Sequence, residues 1–237
     1  LGTVSYQYDA LGRRTRMDVT SQVPVTYGYD AATRLRQVVQ GTQVVDLTYD
    51  ALGRRTRLTL PNGVSTEYQY DAASRITELI YRNALSILGN LTYQYDPAGN
   101  RVGVGGSFAR TLLPDPVATA TYDAANRQLA FGDRTMTFDA NGNLTSITDF
   151  NGLTTFIWDA RNRLIGLNTG SISATFAYDV SGRRVFKAVN GSTSQYLYDE
   201  TEIVQELVSG SHISYLSGPA TDEIWSRDGR EFYLADS

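Results

Sequence analysis

The chain has 237 residues, 41% of them hydrophobic and 19% charged, which is too apolar for an intrinsically disordered segment. Its 21 basic and 25 acidic residues are interspersed and leave a net charge of −4, which argues against nucleic acid as the main partner, because phosphate binding needs clustered positive surface. There is no cysteine, so disulfides and thiol catalysis are excluded, and no apolar run approaches the roughly 20 residues of a membrane-spanning helix.

In chain order the sequence repeats one phrase ten times. An aromatic residue followed by Asp occurs at Tyr8-Asp9, Tyr29-Asp30, Tyr49-Asp50, Tyr70-Asp71, Tyr95-Asp96, Tyr122-Asp123, Phe138-Asp139, Trp158-Asp159, Tyr178-Asp179 and Tyr198-Asp199. Successive Asp residues are 21, 20, 21, 25, 27, 16, 20, 20 and 20 positions apart. A period in this range signals a repeat architecture. Ten copies of one phrase are not ten active sites. They build a surface or a container.

Each copy predicts a turn. Asp9, Asp30, Asp50, Asp71, Asp96, Asp123, Asp139, Asp159, Asp179 and Asp199 stand at its first position, where a carboxylate accepts hydrogen bonds from backbone N–H groups two or three residues on. Gly12, Gly53, Gly99, Gly142 and Gly182 follow three residues later and supply a positive φ. Asn126 and Asn162 tolerate the same conformation, whereas Thr33 and Ser74 at that position predict a different turn type. An Arg usually comes next, and is expected to pair with the recurring Asp or to face solvent. A second turn class, as in Pro61-Asn62-Gly63, Asn151-Gly152 and Asn190-Gly191, falls half a repeat later. Between turns lie β-prone segments such as Val44 to Tyr49 and Leu153 to Trp158, and no stretch reads as an amphipathic helix. The expected fold is all-β, an array of antiparallel hairpins giving about twenty strands in one long meander.

Aromatic-x-aromatic pairs such as Tyr6-Tyr8, Tyr27-Tyr29, Tyr68-Tyr70 and Tyr93-Tyr95 put both rings on one face of a strand. They are expected to pack against one another across strands. The alternative is an exposed row of rings that stacks on carbohydrate or docks on a cell-surface protein.

The repeat is irregular over about 99–121, where Gly103 to Gly106 and Pro114-Asp115-Pro116 predict a longer loop or a kink, and it ends near Gly210. Residues 1–210 are thus read as the repeat array and 211–237 as a distinct tail. His212 is the only histidine, which leaves no common zinc site and no Ser-His-Asp arrangement. Asp222-Glu223 and Glu200 with Glu202 are acidic pairs outside the repeat and read as solvated charges. Gly103 to Gly106 lacks phosphate-loop spacing. Asp96-Pro97 occupies the repeat turn and is expected to be a turn, not a self-cleavage element. No catalytic, metal or cofactor site is expected.

The runs Tyr-Asp-Ala-Leu-Gly-Arg-Arg at 8–14 and 49–55, with Tyr95 to Arg101 and Phe138 to Leu144, resemble the YD repeat of the Rhs proteins, which also occurs in insecticidal toxin-complex C components and in teneurins. The tail from Tyr215 through Trp225 to Asp236 is similar to the start of the Rhs-associated core. The resemblance implies a sheet that spirals into a hollow shell, enclosing or presenting a C-terminal toxin domain or the rest of the same polypeptide. It also implies a secreted or cell-surface location. The autoproteolytic motif that ends the core in this family is not among these residues, so the segment reads as non-catalytic shell wall, cut off within the core. The strands expected to lie at the edges are those at Thr3 to Tyr8 and Ser211 to Tyr215, and exposed edges favour association.

Overall fold

The computed structural model describes residues 2–84, 86–110, 116–220 and 223–234. Among these there is no helix and there are twenty-three strands. The first ten are β1 (Val4–Tyr8), β2 (Arg14–Val19), β3 (Val25–Tyr29), β4 (Leu35–Gln40), β5 (Gln43–Tyr49), β6 (Arg55–Thr59), β7 (Ser65–Tyr70), β8 (Ile76–Arg82), β9 (Ile87–Tyr95) and β10 (Arg101–Gly105). After the irregular segment come β11 (Ala120–Tyr122), β12 (Gln128–Phe131), β13 (Arg134–Phe138), β14 (Leu144–Asp149), β15 (Gly152–Trp158), β16 (Leu164–Asn168), β17 (Ser173–Tyr178), β18 (Arg184–Val189), β19 (Ser192–Asp199) and β20 (Glu202–Val208). The last three are β21 (Ser211–Ser217), β22 (Ile224–Arg227) and β23 (Glu231–Phe232).

Strand order follows chain order throughout, so the fold is an antiparallel meander. It is two sheets, however, not one: β1–β10 and β11–β23. The expected single meander breaks at the irregular segment. There Gly106 (φ 99°) lets the chain leave the ladder, and Phe108 N–H and Ser107 turn back onto Asn90 of β9. A Cβ on Gly106 would stand 2.4 Å from the Asn90 carbonyl oxygen, so this glycine serves close backbone approach rather than phosphate binding. Pro116 removes a ladder donor beyond it. Pro114 and Asp115 of the predicted loop lie outside the described residues. The edge strands are β1 and β10 in the first sheet and β11 and β23 in the second. The segment Ser211 to Tyr215 is not an edge, because β21 is flanked by β20 and β22.

The chain divides into two compact units. One comprises Gly2–Thr111, Tyr198–Gln205 and His212–Ser237. Its core is the face of the first sheet that carries Met17, Val19, Val25, Val38, Val45, Leu47, Leu58, Leu79 and Tyr81. These alternate with half-buried or exposed residues, as a strand with one covered face requires. The cover belongs to the same unit: Val204, Leu216 and Trp225, the last fully buried. Gln22 donates to the Val204 carbonyl at 3.1 Å and Gln205 to the Thr20 carbonyl at 2.8 Å, tying the tail to the sheet.

The other unit comprises Leu1, Leu112–Leu197 and Glu206–Ser211. It contains the same hairpins with far less burial. Met136, Ile147 and Phe156 are half-buried where the first sheet has fully buried positions.

Candidate functional site

Nine of the ten Asp residues build one turn, nine times. In the copy at Asp50, Oδ1 accepts from Leu52 N–H and from Arg54 N–H, both at 2.9 Å, while Oδ2 accepts from Arg54 Nε at 2.7 Å. Gly53 N–H donates to the Asp50 carbonyl at 3.1 Å, and Asp50 N–H to the Arg54 carbonyl at 3.0 Å. The carboxylate therefore serves the second and fourth N–H groups, while the third goes to the main chain. The left-handed residue falls at Gly12, Thr33, Gly53, Ser74, Gly99, Asn126, Gly142, Asn162 and Gly182, with φ between 57° and 90°. Thr33 and Ser74 thus adopt the common turn, contrary to the expectation of a different type. Their Asp carboxylates satisfy the loop donors and outweigh the strain of a β-carbon at positive φ. A register shift just before each aromatic, for example between Thr48 and Tyr49, marks the bulge that goes with such three-residue loops.

All nine carboxyls are held below the ordinary aspartate value of 3.8. The backbone N–H of the fifth turn residue is the largest cause at Asp30, Asp50, Asp71 and Asp123. The side chain of that residue leads at Asp9, Asp96, Asp139 and Asp159. At Asp179 burial pulls upward and the bonds from Arg183 outweigh it. Asn replaces Arg in two turns: Asn100 and Asn143 donate through Nδ2 to Asp96 and Asp139 at 2.9 and 2.8 Å.

Asp199, expected as the tenth turn, is not one. No Gly or Arg follows at the positions the turn uses, β19 runs through Asp199, and the chain reverses at Glu200 (φ 52°). Its carboxylate instead accepts from Arg14 and from the Tyr6 hydroxyl at 2.7 Å. Burial first, then that hydrogen bond, push the Tyr6 phenol up to about 12.

The turns are linked sideways within each unit. Arg34 Nη1 donates to the Asp50 carbonyl, Arg54 to Asp71, Arg75 to Asp96, Arg127 to Asp139 and Arg163 to Asp179, at 3.0 to 3.3 Å. Each guanidinium also lies over the aromatic of the next copy: Arg13 over Tyr29, Arg34 over Tyr49, Arg54 over Tyr70, Arg75 over Tyr95, Arg127 over Phe138 and Arg163 over Tyr178, at 4.5 to 5.4 Å. Those aromatics in turn donate to the strand behind them, Tyr29 to Arg14 O, Tyr49 to Leu35 O, Tyr70 to Arg55 O, Tyr95 to Ile76 O, Trp158 to Leu144 O and Tyr178 to Leu164 O. The rings are covered by guanidinium groups rather than packed on one another, which corrects the expected ring-on-ring pairing. Direct ring contacts among the described residues are Tyr6 with Tyr8 and Tyr81 with Phe108.

A second set of arginines, one position later, was not singled out by the sequence reading, although the doubled Arg of Gly-Arg-Arg was its signal. Arg14 stacks on Tyr6 and Tyr27, and Arg55 on Tyr68, on the covered face of the first sheet. Arg14 meets Asp199 at the end of β19, and Arg55 meets Glu223 of the tail. Glu223 and Arg55 are 7% and 19% exposed, so Glu223 is not the solvated charge expected; Asp222 lies outside the described residues. Glu200 and Glu202 line a cleft of about 370 Å³ with Arg14, Tyr27 and Asp199, and His212 lies exposed on β21. Among the described residues no group of three or more His, Asp or Glu is placed to hold a metal ion. No helix is long and apolar enough to cross a membrane.

A model of the RHS repeat matches residues 49–86 and 138–171, each of which contains complete turns of this kind. The chain is 32% identical over 115 residues to the tRNA nuclease WapA of Bacillus subtilis, covering 46% of this chain and 4% of that protein. It is 27% identical over 161 residues to the double-stranded DNA deaminase toxin A of Burkholderia cenocepacia, covering 56% of this chain and 11% of that one. Among solved structures it is similar to the TcdB2-TccC3 complex (TM-score 0.56, 18% identity, 91% of this chain and 16% of that one). It is also similar to the Photorhabdus luminescens Tc holotoxin pore (TM-score 0.52, 17% identity, 90% and 15%). The chain therefore spans only a small part of the proteins it resembles, and the solved structures speak to its fold.

Proposed function

We propose that the chain, two stretches of which match the RHS repeat, is a non-catalytic stretch of shell wall, which in a longer polypeptide encloses or presents a C-terminal toxin domain. The observation that carries this is the lateral lattice. In most copies the turn arginine and the aromatic hold the neighbouring hairpin, through Arg to carbonyl, Arg over ring and ring to carbonyl. Such a lattice makes a stiff sheet that extends one repeat at a time. Among the described residues the turn side chains engaged in it are bonded to one another and to the main chain, which supports a structural role for them. WapA and the deaminase toxin are named for activities of whole proteins, and the small share matched here fits a repeat region rather than their catalytic parts. The wall proposal carries with it a secreted or cell-surface location. The carbohydrate-binding alternative draws no support from rings already stacked beneath guanidinium groups.

The test is limited proteolysis of the full polypeptide that carries these residues. The segment C-terminal to the repeats should resist protease in the parent and be cut rapidly in an R54A/R75A variant that retains its strand content. Equal, rapid cutting of that segment in both proteins would overturn the proposal.

A further inference from the structure

The second arginine of the turn creates a recurring seat for a carboxylate. Arg14 and Arg55 both start a strand, both pair in register with the aromatic that opens their own turn (Tyr8 and Tyr49), and both stack on a tyrosine of the covered face. Each is filled by an acid from outside the first sheet: Asp199, which also accepts from the Tyr6 hydroxyl, and Glu223. Arg101 occupies the equivalent position on β10. It pairs in register with Tyr95, and its guanidinium lies 5.2 Å from the centre of the Tyr93 ring, as Arg14 lies 4.5 Å from Tyr6. Arg101 is exposed, and among the described residues no carboxylate reaches it. Asp96, the acid of its own turn, is taken up by Asn100.

The surroundings of Arg101 differ from the two filled seats in one way. Among the described residues β10 is an edge strand, bonded to β9 alone, and it presents Val102 and Val104 at 65% and 55% exposure. An edge offers unpaired N–H and C=O groups to an added strand, and alternate apolar side chains give that strand something to pack on. We propose that Arg101, with Tyr93 and the free edge of β10, is a docking site for an extended acidic segment of a separate polypeptide, which adds to the sheet and seats a carboxylate on Arg101 as Asp199 does on Arg14. The two filled seats fix the chemistry of the occupant, and the edge fixes its conformation. The seat operates whether or not the sheet forms the wall of a container.

The probe is a labelled peptide with the sequence Ser192–Asp199 of this chain, amidated at its C-terminus so that Asp199 is its only carboxylate, titrated with the 237-residue protein and read by fluorescence anisotropy. A charge-assisted bidentate contact predicts that Arg101→Ala weakens binding about tenfold. An Asp199→Asn peptide should lose a similar factor against the parent protein, and Arg101→Lys should recover part of the loss. Arg101 is exposed, so its substitution is expected to leave the fold intact, which near-ultraviolet circular dichroism checks. Equal binding of the Asp and Asn peptides, parental binding by Arg101→Ala, or no binding at all would overturn the proposal. So would loss of binding on Arg14→Ala with Arg101→Ala unaffected, which would put the peptide on the seat already filled.

Discussion

The first sheet and the strands β11 to β18 are made of the same hairpins, closed by the same turn, yet they bury very different amounts of apolar side chain. In β1–β10 the residues Val38, Val45, Leu47 and Leu79 are at most 1% exposed, whereas among the described residues of β11–β18 Ala174 is the one apolar side chain that is buried. The turns do not account for this, since Asp50 and Asp159 make identical sets of bonds. What differs is cover. The first sheet has Val204, Leu216 and Trp225 of its own unit over its apolar face. Turn chemistry fixes how each hairpin is shaped and joined to the next, while a separate segment decides how much hydrophobic stabilisation the sheet gains.

The largest test of this contrast is in the cores. Leu47→Ala should cost about 3–4 kcal/mol, as a fully enclosed leucine does, and Trp225→Ala about as much through loss of the cover. Phe156→Ala, at a half-buried position, should cost about half as much despite its larger side chain. Urea denaturation measures all three, and equal losses would mean that cover is not the difference. Neighbouring arginines give the next test. Arg55→Ala leaves Glu223 buried without a counter-charge and should cost about 3 kcal/mol. Arg54→Ala removes a partly exposed pair and should cost about 1 kcal/mol or less. A double-mutant cycle of Arg55 with Glu223 separates the pair from other effects.

Turn substitutions should act alike in both regions. A Cβ at Gly53 or Gly142 meets nothing within 4 Å, so only the positive φ is strained, and Gly→Val should cost about 1–2 kcal/mol at either place. Asp50→Ala and Asp139→Ala should lower Tm by matching amounts. The smallest effect per residue is with pH. The nine turn carboxyls have folded values below the ordinary 3.8, so their contribution is present above that value and fades as pH falls through it toward the folded values. Melting temperature should be level from pH 7 to about 5 and fall below about 4, and hydrogen exchange should rise together at the turns of both regions. Loss confined to one region would break the equivalence of the turns.

The period and the turn grammar made the hairpins legible before any coordinates. Asp at one position and Gly or Asn three later are chemically sufficient signals, because few side chains cap a loop or accept positive φ. Thr33 and Ser74 were misjudged because intrinsic preference was weighed without the three bonds from Asp30 and Asp71 that override it. Asp199 was misjudged the other way, since an aromatic-Asp pair was accepted without a Gly or Arg after it. The role of Arg14 and Arg55 was not legible at all: their partners lie 185 and 168 residues away, a separation that no local pattern encodes. The break into two sheets was visible only as lost regularity over 99–121.

Each turn holds the one that follows it in the chain, and the stretch from Arg54 to Arg75 carries one complete link: an arginine that reaches forward, a ring that receives it, and a second arginine ready for the next copy. Such a stretch is a cassette. Duplicating it in frame adds two strands with the turn-to-turn contacts that the others have, whereas deleting this copy also removes Arg55 from Glu223. Asn takes the place of the forward-reaching arginine in two turns: Asn143 still reaches the next turn, donating to Asn162 Oδ1 at 2.9 Å, while Asn100 closes the last turn of the first sheet, where no further hairpin in that sheet awaits a reach. A sheet built this way can be lengthened by copying one link.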